Sequence, residues 1–373
     1  MKHLKKIGFY SVFILPILLM FGFYLGGWNL LIIHAFVFIL VPVMDYLIQT
    51  DRTNVPETEI SEVSKEKFYS LVTFIWVYVQ LGILVWGFSV ISSTTLSFAE
   101  WLAFSTGMAL VTGGVGITVA HELGHKAEKL EQFYSKVLLM TVCYMHFFIE
   151  HNRGHHVRVA TSDDPATSRF GETFYSFWWR SVKDGFISAI HLEEEKLQKK
   201  GVPSWSFQNQ MIQFVLAPII FVGFFALIFS LIQNRFVWEV PIFFFVQSFF
   251  AFSLLELVNY IEHYGMSRKL LPNGRYEKVT PLHSWNASHM VSNFLLFQLQ
   301  RHSDHHAFAY KRYQILNHYD ESPQLPQGYS AMIILALFPA LWFKVMDKRL
   351  EEWKKRTWVE ELSIKNLNPT ENY

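Results

Sequence analysis

Six stretches of predominantly apolar residues run along the chain at about 7–26, 28–49, 70–92, 99–120, 211–233 and 236–259. Each has the length, about twenty residues, that a helix needs to cross the hydrocarbon core of a bilayer. They pair into three hairpins through Gly26-Gly27-Trp28-Asn29, Ser92 to Ser97 and Gln233 to Trp238, and connections this short join antiparallel neighbours. Two further apolar runs are not counted as crossings. A crossing at residues 133–149 would carry His151 to the far side from His121, so a buried or interfacial helix is expected there. Residues 329–343 are short, interrupted by Pro339 and followed by Lys344, Lys348 and Arg349, and are read as a helix packed on the cytoplasmic region. The pattern predicts an all-α, polytopic membrane protein with six transmembrane helices. It forms one domain over 1–373, with cytoplasmic insertions at 121–210 and 260–373 and no internal repeat.

Composition agrees with a bilayer setting: 51% of the 373 residues are hydrophobic and 17% charged. Lys plus Arg number 32 against 31 Asp plus Glu, which leaves no electrostatic footprint for nucleic acid. Of the basic residues only Arg235 falls in the short turns, and the positive-inside rule therefore puts both termini and the two insertions in the cytoplasm. The start, Met1 to Lys6 before a long apolar run without a small-residue cleavage site, reads as an uncleaved first span. Cys143 is the single cysteine. It cannot supply a thiolate pair for an iron-sulfur or zinc centre, so an electron-transfer centre must lie on another protein.

Nine of the sixteen histidines fall in four clusters. These are His121-Glu-Leu-Gly-His125-Lys, Glu150-His151-Asn-Arg-Gly-His155-His156, Asn259-Tyr-Ile-Glu-His263-Tyr-Gly265 and Leu299-Gln-Arg-His302-Ser-Asp-His305-His306-Ala. Span parity places all four on the cytoplasmic face. Residues three or four apart share a helix face, so His121 and His125 can grip one ion. His151 with His155, and His302 with His305 and His306, repeat that spacing with an extra neighbour, and Gly154 relieves crowding before the double histidine. Imidazole suits iron, zinc, copper and nickel alike. Zinc sites close with three or four ligands, whereas nine histidines divide into four and five around two ions, and redox logic favours two irons.

Each cluster carries an acid, Glu122, Glu150, Glu262 or Asp304, placed to accept the second N–H of a ligating histidine and fix its ring. The alternative for each is to be solvated or to form a salt bridge with Lys126, Arg153 or Arg301. Elsewhere, His3 and His318 are expected at the surface, His191 on a charged helix face, and His34 and His146 in the core. His283 and His289 flank Trp285-Asn286 and are candidates to support the histidines. Asp45 and Glu256 sit near cytoplasmic span ends, where an acid has either a function or a route to the interface. Phe38 and Phe104 are candidates to line a substrate channel and set its depth.

At these clusters the chain resembles the integral-membrane alkane hydroxylases, the alkane 1-monooxygenases. HELGHK, EHNRGHH and LQRHSDHHA match that family's three histidine boxes, and NYIEHYG its additional motif; the likeness runs from about residue 30 to 350. The resemblance implies a non-haem di-iron centre on His121, His125, His151, His155, His156, His263, His302, His305 and His306. It implies hydroxylation of the terminal methyl of n-alkanes with O2, in the inner membrane of a bacterium, the alkane arriving from membrane lipid. It also implies electrons from rubredoxin, reduced by an NAD(P)H-dependent rubredoxin reductase. A basic surface including Lys126, Arg153, Arg158, Lys311 and Arg312 is a candidate to receive an acidic rubredoxin; an ordinary positive-inside surface explains the same residues.

Three rivals remain. A membrane fatty-acyl desaturase or hydroxylase, or a xylene-type methyl hydroxylase, shares similar boxes. A membrane zinc protease fits HExxH with Glu122 as base, but leaves six histidines unused. A metal carrier would line its spans with ligands rather than gather them on one face.

Overall fold

The computed structural model describes residues 2–356, with side chains from Lys5 onward. The expected cytoplasmic C-terminus, at the end of the 260–373 insertion, and the side chain of His3 lie outside the described residues. Helices α1 (Lys5–Leu25), α2 (Gly27–Ile48), α3 (Lys67–Ser93) and α4 (Phe98–Gly124) are the first four apolar spans. Next come α5 (Lys129–Met140) and α6, in which Phe147–Glu150 continues through a π-helical turn at His151–His155 into His156–Arg158. Helix α7 (Phe174–Lys199) leads into the last two spans, α8 (Gln210–Gln233) and α9 (Glu239–His263). Beyond them lie α10 (His302–Ala307), α11 (Tyr329–Ala336) and α12 (Pro339–Lys354). Among the described residues the protein is all-helical, with only isolated bridges such as Thr50 to His289.

Local chemistry sets several helix starts. Ser97 and Glu100 form a capping box at α4, Ser97 N donating to Glu100 Oε2 at 3.0 Å, which satisfies otherwise orphaned amides. Asn209 caps α8 by accepting from Met211 N at 2.8 Å. The α4 and α9 helices continue about one turn past the hydropathy boundaries expected at 120 and 259, because backbone bonding does not stop where polarity changes. His121, Glu262 and His263 therefore ride on the span helices themselves.

The two short apolar runs are each broken rather than single helices. In 133–149, α5 stops at Met140 and the chain turns through Cys143 in the left-handed region (φ 53°) before α6. In 329–343, Pro339 starts α12 and cannot extend α11, since it lacks an N–H and clashes with the preceding turn.

Helix α4 is the centre of the bundle: 78% of its apolar stretch is buried, against 17% to 50% for the other spans. Close approach to α9 requires Gly113, where a Cβ would lie 2.6 Å from Ala251 Cα. Two buried glutamines lock the spans to the end of α5. Gln80 Nε2 donates to Thr141 Oγ1, and Gln247 Nε2 to the Thr141 carbonyl, each at 2.8 Å; Gln247 Oε1 accepts from Thr112 Oγ1 at 2.8 Å. Such bonds between helices substitute for water that the bilayer core lacks.

Candidate metal centre

The nine histidines named from sequence converge in two groups whose candidate ligand atoms lie within 4.8 Å of one another. His121, His125, His151, His156 and His305 form one; His155, His263, His302 and His306 form the other. Each group can hold a metal ion. All neighbouring contacts run through Nε2. In the first group His125 approaches His121 at 3.3 Å and His151 at 3.1 Å, while His156 approaches His151 at 3.0 Å and His305 at 3.2 Å. In the second, His306 approaches His302 at 2.9 Å and His155 at 3.2 Å, and His302 approaches His263 at 3.2 Å. A neutral imidazole has one N–H, so this many inward nitrogens cannot satisfy one another, and a shared cation answers them better.

The expected pairing within boxes is corrected. His151 and His155 do not share a group; His151 joins His156, and His155 joins His306. The π-helical turn at His151–His155 adds a residue to the turn, so the partner of His151 moves from i+4 to i+5. In the third box His302 and His306 stay together at i and i+4, while His305 turns to the first group. At Gly154 a Cβ would meet the side-chain ends of Arg158 and Glu150 rather than the double histidine.

Burial keeps these rings neutral, the state a metal needs. Desolvation, with like-charged neighbouring imidazoles, holds His125, His151, His156, His302, His305 and His306 well below the usual histidine range. His155 is the exception. Desolvation lowers it, but the Asp164 carboxylate outweighs this and the net shift is upward. His155 Nδ1 lies 2.8 Å from Asp164 Oδ2, which also accepts from Thr167 Oγ1 at 2.6 Å. Asp164 thus has the orienting position that was assigned to other acids. Sequence reasoning passed over it because it lies outside the boxes, nine residues after His155.

Three of the four expected acids face basic or hydrogen-bonding side chains instead. Glu122 pairs with Lys126 at 2.9 Å, Glu150 with Arg158 at 2.8 Å, and Asp304 with Lys311 at 2.9 Å. Asp304 also accepts from Tyr319 OH and Asn317 N, pinning the loop after α10. Glu262 does meet a histidine, but at the inward nitrogen: its Oε2 is 3.0 Å from His302 Nε2, and its Oε1 accepts from Tyr329 OH at 2.6 Å. The protease geometry is disfavoured in the same way, because Glu122 is committed to Lys126.

The basic receiving surface is also corrected. Lys126, Arg158 and Lys311 make the pairs just given, Arg153 binds Glu193 at 3.1 Å, and Arg312 binds Glu131 at 2.9 Å. Each is thus paired with an acid, Lys126 in the interior and Arg153, Arg158 and Arg312 at partly exposed positions. His318, expected at the surface, is buried and 2.8 Å from Ser288 Oγ. His283 pairs with Glu277 at 3.3 Å, His34 bonds Thr106 Oγ1 at 2.9 Å, and Asp45 Oδ1 accepts from Val291 N and Ser292 N, starting the Met290–Leu295 helix.

An apolar slot ends at the histidines. Its inner wall includes His121, His151, His302 and Glu262, and its sides include Val37, Phe38, Gly114 and Ile117. It is narrow, the centre of a water-sized sphere having about 80 Å³ in which to move. Phe38, Leu110, Leu254 and Ile333 join it to an outer groove that reaches Phe249 and Leu337 at the exposed face. The π-helical turns at Phe36–Leu40 and Leu110–Val115 both border the slot, consistent with the frequent use of such turns at functional sites. Phe38 lines it. Phe104 does not; it is packed away among Phe23, Trp86 and Phe243, with ring centroids 5.5 to 5.6 Å apart.

A family model described as fatty acid desaturase matches residues 96–336, the stretch that contains all four clusters. The chain is 43% identical to alkane 1-monooxygenase 2 of Pseudomonas aeruginosa, over 95% of this chain and 94% of that protein. It is 40% identical to alkane 1-monooxygenase 2 of Alcanivorax borkumensis, over 86% and 82%. The chain belongs to the alkane 1-monooxygenases of the fatty acid desaturase family. The xylene/toluene monooxygenase hydroxylase component XylM of Pseudomonas putida is more distant, at 26% over 90% and 86%. For an alkane 1-monooxygenase family member the slot is the telling element, since it offers apolar walls along its length and imidazoles only at its end.

Proposed function

We propose that the chain, as one hydroxylase domain, converts the terminal methyl of n-alkanes to 1-alkanols: R–CH3 + O2 + 2 e− + 2 H+ gives R–CH2OH + H2O. The observation that carries this reading is the narrow apolar slot that ends between the two histidine groups. A hydrocarbon has no polar handle, so only a wall of matching width can hold it end-on and present its methyl rather than a methylene. The donor set fits two iron ions, five imidazoles for one and four for the other, with Glu262 beside the second. Bound iron would supply the reduction of O2 and the removal of hydrogen from the terminal carbon. Asp164 orients His155, Tyr329 holds Glu262, and the apolar walls exclude water from the reacting end.

Electrons come, on this reading, from rubredoxin and its NAD(P)H-dependent reductase, since Cys143 alone provides no redox centre of that kind. His125 and His156 are the two partly exposed members of the nine, which favours entry at the five-histidine group. The distribution of Lys and Arg supports a cytoplasmic centre in a bacterial inner membrane. The test is to purify the full chain, measure iron, and supply rubredoxin, reductase, NADH and octane or hexadecane. Iron near two per chain and a 1-alkanol are expected. Absence of both sinks the proposal, and an unsaturated lipid or a benzylic alcohol as the preferred product replaces it with a rival.

A further inference from the structure

The reaction proposed above consumes two protons and releases a water for each alkanol, and the apolar slot is a poor route for either. A second, smaller cavity, more polar than the slot, reaches the histidines from another side. Tyr144, Glu150, Ser181 and Glu256 are in its wall, and His151 and His155, one from each group, border it. It meets the alkane slot at Phe147, His151 and Asn259. The centre of a water-sized sphere has about 20 Å³ there, which is room for about one water.

Glu256 is the unexplained group in this wall. It lies on the span helix α9 and is 2% exposed, a costly place for an acid and one that marks function. Glu150 is paired with Arg158 at 2.8 Å, whereas Glu256 has no salt bridge among the described residues. Its Oε1 accepts from Tyr144 OH at 2.8 Å and from Asn259 Nδ2 at 3.3 Å. Its Oε2 makes no well-formed hydrogen bond among the described residues; the Ser181 hydroxyl in the same wall is a neighbour of the carboxylate, and the contents of the cavity can complete its hydrogen bonding. Toward the outside, Ser188 Oγ lies 2.6 Å from Arg158 Nη2 and 3.3 Å from Glu150 Oε1, and both Ser188 and Arg158 are partly exposed.

We propose that Glu256 is a proton relay serving the histidine centre. Resting on the monooxygenase reading, it takes protons from water that enters beside Ser188 and Arg158 and passes them through one cavity water toward the reacting oxygen. The O–O bond breaks, one oxygen goes to the alkanol, and the other accepts two protons and leaves as water. The two electrons come from the one-electron carrier protein named above. Tyr144 and Asn259 position the carboxylate, and the Arg158–Glu150 pair, bridged by Ser188, forms the outer end.

The test compares full-length wild type with Glu256→Gln, which keeps an acceptor for Tyr144, and Glu256→Asp. Bound iron is measured first. Oxygen uptake driven by a chemical one-electron reductant is then followed without alkane, in H2O and in D2O, because O2 reduction needs protons whatever the substrate. Expected are unchanged iron in Glu256→Gln, uptake at least tenfold slower with a larger isotope effect, and recovery of a third or more of the rate in Glu256→Asp. Uptake within twofold of wild type with an unchanged isotope effect overturns the relay, as does loss of iron, which would make Glu256 a structural support. Wild type that consumes O2 yet yields no alkanol in a parallel assay instead overturns the alkane reading, and the two failures stay separate.

Discussion

Removing Asp164 should weaken one metal site and spare the other. Its carboxylate is 1% exposed and holds His155 alone among the nine histidines, at 2.8 Å. His155 belongs to the four-histidine group, its Nε2 lying 3.2 Å from His306 Nε2. Asp164→Ala deletes a buried, charge-assisted hydrogen bond worth about 1.5–3 kcal/mol. Expressed as affinity this is roughly 10- to 100-fold, the usual effect of removing the outer partner of a metal-binding histidine. Asp164→Asn retains an acceptor for His155 and Thr167 but not the charge, so its effect should fall between wild type and alanine.

The assay is a chelator titration of iron-loaded protein, counting iron retained per chain, with the melting temperature of the metal-free form as a folding control. Wild type should release its iron at high chelator concentration. In Asp164→Ala one equivalent should leave at about 10- to 100-fold lower chelator, while the second, held by His121, His125, His151, His156 and His305, follows the wild-type curve. Both equivalents shifting equally, or neither shifting, would refute the assignment of Asp164 to one group.

Two adjacent glycines should respond differently. Gly113→Ala drives a Cβ to 2.6 Å from Ala251 Cα, and overpacking of this kind costs about 1–3 kcal/mol, visible as a lower melting temperature. Gly114→Ala meets nothing within 4 Å and should melt like wild type. Gly114→Leu should intrude on the slot about 10 Å along α4 from His121, and each methylene it excludes forfeits ~0.8 kcal/mol, about fourfold in kcat/KM. The hexadecane-to-octane ratio should fall, and a rise in that ratio counts against the slot. Acid should destabilise the metal-free protein. The unfolded chain protonates its histidines near pH 6.5, while burial keeps His125, His151, His156, His302, His305 and His306 neutral when folded. The unfolded state then binds more protons as pH falls through that value, and stability present above it is lost at up to ~1.4 kcal/mol per pH unit per group. His155 runs the other way, its raised value adding stability that is lost as pH rises. The six outnumber it, so a melting temperature at pH 5.5 equal to or above that at pH 7.5 contradicts the burial argument.

The spans were legible because bilayer length and apolar runs are properties of contiguous sequence, and all six appear within a few residues of their expected ends. Gathering nine histidines at one end of the bundle followed from span parity. Which of the alternatives open to each charged side chain is taken was not legible. Lys126, Arg153, Arg158, Lys311 and Arg312 look like a basic surface in one dimension, yet each meets an acid: Lys126, Arg158 and Lys311 pair with one four to eight residues away, while Arg153 and Arg312 meet Glu193 and Glu131 across the fold. The same pairings took Glu122, Glu150 and Asp304 away from the histidines. His318 reads as a polar loop residue, yet it is buried, with Nδ1 2.8 Å from Ser288 Oγ. Phe104 sits on the correct helix but points into an aromatic cluster, a distinction of angle that composition cannot register.

The double histidines carry a signal that local spacing obscured. Successive residues on a helix are separated by about 100°, so adjacent imidazoles do not naturally face a single centre. Their joint presence makes sense if each doublet stands between two centres. The structure has that arrangement: His155 faces His306 at 3.2 Å in one group, and His156 faces His305 at 3.2 Å in the other. Two doublets, on α6 and α10, therefore span both groups like rungs, while His121 and His125 serve only the first and His263 only the second. The spacing between the groups is set by two peptide units on separate helices rather than by a side chain reaching between them. A shift of α10 or of the π-helical turn in α6 must then move ligands of both groups together, which ties the two sites to one backbone geometry at the end of the slot.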